Sequence, residues 1–246
     1  MSLNFEIMGS GPRVVLAHGF TQNKNCWGTF AESLAKSYEV VVVDLPGHGD
    51  SLHDEASLQE SAELLTEVGG KASYIGYSMG GRICLHAALT YPDLVNSLVL
   101  IGVNPGIENL EERRNRKTKD SKLAEKIIEK DLNVFLTDWL SQDLFKNLSN
   151  EAQSLQARLL NRVEGIAATL LNRGVGSQDS LWSQLQDLTM PVLQVVGSND
   201  SKYLDISQKA AELFINSDRM IVSGGHAAHL ESEQVVNQIK NWLSDK

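Results

Sequence analysis

The chain has 246 residues, of which 42% are hydrophobic and 22% charged, a composition typical of a soluble globular protein with one large α/β domain. Its net charge of −9 argues against a nucleic-acid partner, whose phosphates the overall field would repel. The two cysteines lack the spacing of a metal site, and no apolar run is long enough to cross a membrane, so we expect reduced thiols, a cytoplasmic location and no membrane contact.

Short runs of β-branched and other apolar residues predict the strands of a parallel sheet. They lie at 13–17, 39–43, 73–75, 97–101, 192–196 and 220–222. Runs without polar alternation are typical of strands that are covered on both faces. Helical periodicity between them predicts helices at 29–36, 57–68, 81–90, 203–214 and 233–243. This alternation predicts an open, mostly parallel α/β sheet, whose ligands bind at the carboxyl ends of the strands.

Residues 104–187 interrupt the alternation of strand and helix. They contain helical patterns at 121–130, 134–140, 151–160 and 165–171, and we predict no strand there. We therefore expect an all-helical lid inserted into a single domain that covers residues 1–246. The lid carries a basic run that fits either a solvated helix face or a site for a small anion: Arg113, Arg114, Arg116, Lys117, Lys119 and Lys122.

The motif Gly76-Tyr77-Ser78-Met79-Gly80 is a G-x-S-x-G sequence between a predicted strand and a predicted helix. Its glycines permit a turn too tight for larger residues, which exposes Ser78 at the tip of the strand. The N–H groups at the start of the following helix point toward negative charge that develops there. This context predicts the α/β-hydrolase fold, with Ser78 as the catalytic serine.

A catalytic serine needs a base, and the base needs an acid that orients it. In this fold the chain order is serine, acid, histidine. Two later predicted strands lead into loops that contain Asp200 and His226, on the same edge of the sheet as Ser78. The sequence therefore predicts a Ser78–His226–Asp200 triad.

Four other residues compete for the roles of acid and base. Asp44 also follows a predicted strand but precedes the serine in the chain, and Asp205 lies too far into the next helix. His229 would begin the last helix, where a supporting or capping role fits better, and His18 belongs to an early turn. The assigned pair fits the chain order better than any of these.

An oxyanion hole in this fold uses two backbone N–H groups. One comes from the residue after the serine and the other from the loop after an early strand. These positions are Met79 and Phe20. The assignment rests on position in the chain, since the side chains play little part.

More selective features begin at Arg82, which follows the catalytic serine by four residues, on the first turn of its helix. Such an arginine is unusual for a lipase. Further segments of the same pattern are Asp44-Leu45-Pro46-Gly47-His48-Gly49-Asp50-Ser51, Asn104-Pro105-Gly106-Ile107, Thr137-Asp138-Trp139, the run GVGSQDSLW at 174–182, Asp200-Ser201-Lys202-Tyr203 and Gly225-His226-Ala227-Ala228-His229. With these segments the sequence resembles the 2-succinyl-6-hydroxy-2,4-cyclohexadiene-1-carboxylate synthases along essentially its whole length.

The resemblance implies a lyase of menaquinone and phylloquinone biosynthesis. The implied substrate is a cyclohexene with three carboxylates, 2-succinyl-5-enolpyruvyl-6-hydroxy-3-cyclohexene-1-carboxylate, from which pyruvate is eliminated. Ser78, polarised by His226, would then act as a base and form no acyl-enzyme. The resemblance implies no organic cofactor and no metal ion, and the sequence has no His/Cys/Asp cluster typical of a metal site.

A substrate with three negative charges requires fixed cations, and arginine pairs with carboxylates through two parallel hydrogen bonds. The resemblance implies a substrate site made of Arg82, Arg116, Arg158, Trp139, Lys202 and Tyr77. Arg113 remains an alternative to Arg116, and Arg162 to Arg158. Trp139 also fits a purely structural role in the lid.

Two other functions are compatible with these residues. A serine hydrolase would use the same triad on an ester or carbon–carbon bond of a carboxylated substrate, with Ser78 as nucleophile. A non-catalytic ligand receptor fits less well, because the triad is complete. In each case we expect a small anionic ligand and a monomer or weak homo-oligomer.

Overall fold

The computed structural model describes residues 2–146 and 148–246, and within them the strands form one seven-stranded sheet. The strands are β1 (Phe5–Met8), β2 (Arg13–Ala17), β3 (Glu39–Val43), β4 (Ala72–Tyr77), β5 (Val95–Ile101), β6 (Val192–Gly197) and β7 (Ser217–Val222). Their order across the sheet is β1-β3-β2-β4-β5-β6-β7. All neighbours are parallel except β1 and β3.

The helices flank this sheet and fill the insertion. They are α1 (Gly28–Ala35), α2 (Leu58–Gly69), α3 (Met79–Thr90), α4 (Leu110–Glu129), α5 (Leu132–Leu140), α6 (Asn150–Gln153), α7 (Leu155–Arg158), α8 (Val163–Arg173), α9 (Ser201–Ala211), α10 (Ala228–Glu231) and α11 (Glu233–Ser244). In the described part of the chain, no helix is both long enough and apolar enough to span a bilayer.

The strands of the core lie where the apolar runs predict them, and strand β1 was missed. It is a four-residue strand on the edge of the sheet, and its apolar residues Phe5 and Ile7 are 40% and 49% exposed. Among the described residues it pairs with β3 alone, with Ile7 opposite Val41. A short edge strand that is half exposed contains no continuous apolar run, so the sequence pattern does not reveal it. It is recognised as a strand by its hydrogen bonds to β3.

The predicted lid is present between β5 and β6, but two of its helices differ from the prediction. Helix α4 begins at Leu110 instead of at the predicted residue 121. The prediction missed its first half because that half is charged and lacks an apolar periodicity. Asn109 caps the helix, since its Oδ1 accepts hydrogen bonds from Glu111 N–H and Glu112 N–H. The helix predicted at 151–160 is broken into α6 and α7 at Ser154, whose φ of 52° is left-handed.

Two buried layers cover the two faces of the sheet. In β2, Val14 and Leu16 belong to one apolar cluster and Val15 and Ala17 to the other, as expected when successive side chains point to opposite faces. A third cluster joins α4, α5 and α8 within the lid, and Phe20 and Trp139 pack against it. The lid is therefore fixed over the loop that follows β2, at the carboxyl edge of the sheet.

Candidate active site

Ser78 lies at the sharp turn between β4 and α3, in a conformation that few non-glycine residues adopt (φ 50°, ψ −106°). The turn requires glycines around it. A Cβ on Gly80 would lie 2.0 Å from the carbonyl oxygen of Ala17, and one on Gly76 would lie 2.4 Å from the Cα of Gly81. The tight packing holds the strained backbone, and Ser78 N–H donates to the carbonyl of Ile101 at 2.9 Å.

The structure brings the three predicted triad residues together. His226 Nδ1 lies 2.8 Å from Asp200 Oδ2, and His226 Nε2 lies 3.2 Å from Ser78 Oγ. A carboxylate only accepts, so Nδ1 carries the proton and Nε2 is free to accept the proton of the serine hydroxyl. Asp200 and His226 are both buried, which shields this relay from water.

Two features that sequence reasoning missed hold the histidine loop. Glu231 accepts hydrogen bonds from Gly225 N–H through both carboxylate oxygens, at 3.0 Å each. Gly102 leaves space for the imidazole, since a Cβ there would lie 2.9 Å from His226 Cε1. Neither residue belongs to a motif, because their role exists only after the chain has folded.

Of the four rival acids and bases, three do not line the cavity that Ser78 and His226 line, and Asp205 does. Asp44 is buried beside Lys24, with 3.0 Å between its Oδ2 and the ammonium nitrogen, and His18 Nε2 accepts from Leu45 N–H at 3.1 Å. The ring of His229 packs 4.5 Å from that of Tyr77, and burial lowers its pKa to about 3, with His226 and Arg158 adding to the effect. Asp205 lies on α9 and faces the cavity described below.

The predicted oxyanion residues Phe20 and Met79 lie beside the triad, and both line the same cavity as Ser78. In the described part of the chain, neither backbone N–H has a hydrogen-bond partner. The loop that carries Phe20 is fixed on both sides: Gly19 N–H donates to Gln22 Oε1 at 2.9 Å, and the next residue, Thr21, has a positive φ of 67°.

A cavity of about 950 Å³ opens between the triad and the lid. It contains Ser78 and His226, and four of the predicted substrate residues line it: Arg82, Arg116, Trp139 and Lys202. Three more cations also line it: Lys119, which belongs to the basic run of the lid, and Arg173 and Lys209, which the sequence did not single out. The wall also contains four acids, Glu108, Glu112, Asp120 and Asp205, so the six cations exceed the acids by two, and the cations are candidate partners for a small anion.

Arg82 is a buried cation in the wall of this cavity, with 8% of its surface exposed. Its Nη1 donates to Gln178 Oε1 at 2.9 Å and its Nη2 to the carbonyl of Arg173 at 2.7 Å. Burial lowers the pKa of Arg82 to about 10, which still leaves it charged at neutral pH. Gln178 belongs to the run at 174–182, where the sequence indicated no role for it, and it fixes this guanidinium from the end of the lid.

Helix α4 presents one of its two competing arginines to the cavity. Arg116 lines it and is held by Asp120, whose Oδ1 lies 2.8 Å from Arg116 Nε. Arg113 is absent from the lining and pairs with Asp179 at 3.0 Å. The structure therefore places Arg116 where an anion could bind it.

Arg158 and Tyr77 do not line the cavity, contrary to what their predicted role requires. Because the left-handed Ser154 turns the short helix α7 inward, Arg158 is buried behind the oxyanion loop, where Nη1 donates to the hydroxyl of Thr21 and Nε to the carbonyl of Gln153 at 2.7 Å. Arg162, its alternative, is also absent from the lining and pairs with Asp54. Tyr77 is buried beneath His226, with ring centroids 5.3 Å apart.

Trp139 and Lys202 line the cavity from two different helices, α5 and α9. Trp139 packs edge-on against Phe20, with centroids 5.2 Å apart, so it is both part of the lid core and part of the cavity wall. Its indole N–H is buried and has no partner within residues 2–146 and 148–246. Lys202 Nζ lies 5.7 Å from the ring centroid of Tyr203, at the start of α9.

Among the described residues, no group of three or more His, Cys, Asp or Glu side chains is arranged to hold a metal ion. The chemistry available is proton transfer by Ser78 and His226, hydrogen bonding from the two amides, and binding of anions by fixed cations.

The chain is similar in sequence and in structure to known proteins. The alpha/beta hydrolase fold family matches residues 12–233. A Serratia proteamaculans protein named 2-succinyl-6-hydroxy-2,4-cyclohexadiene-1-carboxylate synthase is 31% identical over 94% of this chain and 93% of its own length. The structure of MenH from S. aureus superposes with a TM-score of 0.92 and 27% identity, over 100% of this chain and 99% of that one.

The fold by itself is shared more widely. A thermophilic esterase from Thermogutta terrifontis superposes with a TM-score of 0.83 at 24% identity, over 99% of this chain and 93% of that one. The same fold thus occurs in a protein named as an esterase. Activity must therefore be argued from the residues that line the cavity.

Proposed function

The chain belongs to the 2-succinyl-6-hydroxy-2,4-cyclohexadiene-1-carboxylate synthase family, and from this we propose its activity. We propose that it is the lyase that forms 2-succinyl-6-hydroxy-2,4-cyclohexadiene-1-carboxylate by eliminating pyruvate from its substrate. Its substrate is 2-succinyl-5-enolpyruvyl-6-hydroxy-3-cyclohexene-1-carboxylate, and the step belongs to menaquinone and phylloquinone biosynthesis. One observation supports this assignment above the others: the triad opens into a cavity whose wall contains the buried cation Arg82.

The first step is removal of the ring proton beside the succinyl ketone. Ser78 Oγ takes this proton while its own proton passes to His226 Nε2, which lies 3.2 Å away. Asp200, 2.8 Å from Nδ1, stabilises the imidazolium that results. General-base catalysis of this kind contributes about 10²- to 10⁴-fold to a rate.

The amides of Phe20 and Met79 stabilise the negative charge that develops on the ketone oxygen. They are free of protein partners in the described residues, so no existing hydrogen bond has to break first. The carbon–oxygen bond to the enolpyruvyl group then breaks, and the ring becomes a conjugated diene. The proton held on His226 leaves with the departing group, which is released as pyruvate, so atoms and charge balance.

The carboxylates of the substrate are held by cations in the cavity wall. We assign this role to Arg82 and Arg116, with Lys202 at the start of α9 and Trp139 as a wall of the pocket. For Arg158 and Tyr77 the position behind the cavity favours a supporting role: Arg158 bonds Thr21 in the oxyanion loop, and Tyr77 packs under the base. The cytoplasmic location and the oligomeric state stay predictions from the sequence.

A serine hydrolase is the second candidate, because the same distance between Ser78 and His226 would also serve a nucleophilic serine. Wild-type protein and Ser78→Ala are each incubated with the tricarboxylate substrate and with a p-nitrophenyl ester, and pyruvate and p-nitrophenol are measured. We expect the wild type to release pyruvate and Ser78→Ala to lose that activity by about 10²-fold or more. Rapid ester hydrolysis without pyruvate would favour the hydrolase.

A further inference from the structure

Tyr203 lies in the cavity between the catalytic base and the cations. It is on the first turn of α9, three residues after Asp200, and its backbone N–H donates to the Asp200 carbonyl at 3.1 Å. Its ring centroid lies 4.4 Å from that of His226, and the residue lines the same cavity as Ser78 and Arg82. Tyr203 is thus fixed through its backbone and its ring.

The hydroxyl group at the end of this ring has no assigned role. Within residues 2–146 and 148–246, it forms no hydrogen bond with the protein, unlike the hydroxyls of Tyr38 and Tyr74, which donate to backbone carbonyls. Two of the charged groups that act on this hydroxyl are Arg82 and Arg116, the cations assigned to the substrate carboxylates. Burial raises the pKa of Tyr203, and the guanidinium groups of Arg82 and Arg116 oppose that rise. The group is therefore a neutral O–H donor at physiological pH, close to two cations.

The arginines themselves have donors to spare. A guanidinium has five N–H groups; Arg82 uses two on Gln178 and on the Arg173 carbonyl, which leaves three, and Arg116 uses one on Asp120, which leaves four, in the part of the chain described. A carboxylate that binds between them has up to about four lone-pair positions to satisfy, and a neutral donor beside them adds a hydrogen bond without a further buried charge.

We propose that Tyr203 is a substrate-binding residue whose hydroxyl donates a hydrogen bond to the carboxylate that Arg82 and Arg116 hold. This inference rests on the proposed function, because it takes a polycarboxylate as the substrate. Since the ring also packs on His226, the contact fixes the distance between the bound carboxylate and the base. Tyr203 then contributes to selecting substrates whose carboxylate lies at that distance from the acidic proton.

The test uses Tyr203→Phe, which keeps the ring on His226 and removes only the hydroxyl. Tyr91→Phe is the matched control, because Tyr91 lies at the end of α3 and is absent from the cavity lining. Pyruvate release by the intact chain gives kcat/KM, and we expect Tyr203→Phe to lower it by about 10- to 100-fold, the range for a hydrogen bond to a charged acceptor. Tyr91→Phe should match the wild type.

Binding is measured separately by calorimetry with the tricarboxylate, on Ser78→Ala protein with and without Tyr203→Phe. We expect the affinity to fall by a similar factor when the hydroxyl is removed. Equal affinity in the two proteins, or no binding in either, would overturn the role of Tyr203. Absence of pyruvate from wild-type reactions would instead count against the proposed function, and the calorimetry would still decide whether Tyr203 binds a carboxylate.

Discussion

The backbone carbonyl of Arg173 accepts a hydrogen bond from Arg82 Nη2 at 2.7 Å, although 91 residues separate the two in the chain. Arg173 ends the last long helix of the lid. Its own guanidinium donates to the carbonyls of Pro46, Asp54 and Ala56, in the segment between β3 and α2. The lid, the core and the buried cation beside the catalytic serine are therefore one connected unit. We expect the proposed binding of substrate by Arg82 to depend on that connection.

Replacing Arg82 should weaken the binding of the substrate carboxylate while the protein stays folded. We expect Arg82→Ala to lower kcat/KM for the tricarboxylate by about 10²-fold, since one charge-assisted interaction is lost. Arg113→Ala is the control, because Arg113 is also on the lid side but pairs with Asp179 outside the cavity. Thermal unfolding of both variants checks that the fold survives the loss of the Gln178 contact. Similar kinetics for the two variants would contradict the role of Arg82.

Two possible roles of Arg158, support of the loop that carries Phe20 and binding of the substrate, predict different kinetics for its variants. If it supports the oxyanion loop through Thr21, Arg158→Met should lower kcat by about tenfold and leave KM nearly unchanged, because the lost stabilisation acts on the transition state. Steady-state pyruvate assays measure both constants. A rise in KM at constant kcat would show instead that Arg158 binds the substrate, as first expected from the sequence. Arg162→Met, which alters a neighbouring partly exposed ion pair, should have little effect.

The buried His229 should make the protein less stable in acid. Burial lowers its pKa from 6.5 to about 3, so above pH 6.5 the folded and unfolded states carry the same charge at this site. Between those values the unfolded state binds a proton that the folded state does not. The free energy of unfolding therefore falls as the pH drops, by up to about 1.4 kcal/mol per pH unit from this group.

His229→Phe removes this titration while keeping an aromatic ring against Tyr77 and Trp27. The Nδ1 atom of His229 is buried without a partner in the described residues, so its loss breaks no hydrogen bond. Urea unfolding at about pH 7.5, 6 and 5 should show a flatter decline for the variant than for the wild type. Identical declines would mean that other groups account for the acid sensitivity.

The sequence by itself determined the sheet, the insertion and the triad. Continuous apolar runs require strands that are buried on both faces, and the G-x-S-x-G turn tolerates only glycines where Gly76 and Gly80 lie. Since parallel strands end at one edge of a sheet, Ser78, Asp200 and His226 had to meet there. Local rules of this kind carry information about distant contacts because the fold has few topologies.

Only the tertiary structure decided which cations face the cavity. Arg113 and Arg116 differ by less than one turn of helix, and the resemblance favours Arg116 while leaving Arg113 as an alternative. In the structure, where α4 packs against α8, Arg116 lines the cavity and Arg113 does not. Arg158 matches the pattern of a substrate ligand, yet the break at Ser154 turns it behind the oxyanion loop. Gln178 and Tyr203 both lie in segments that carry the resemblance, but the sequence did not indicate a role for either of them. The direction of a side chain depends on the packing of the whole helix that carries it, and short-range sequence patterns do not specify that packing.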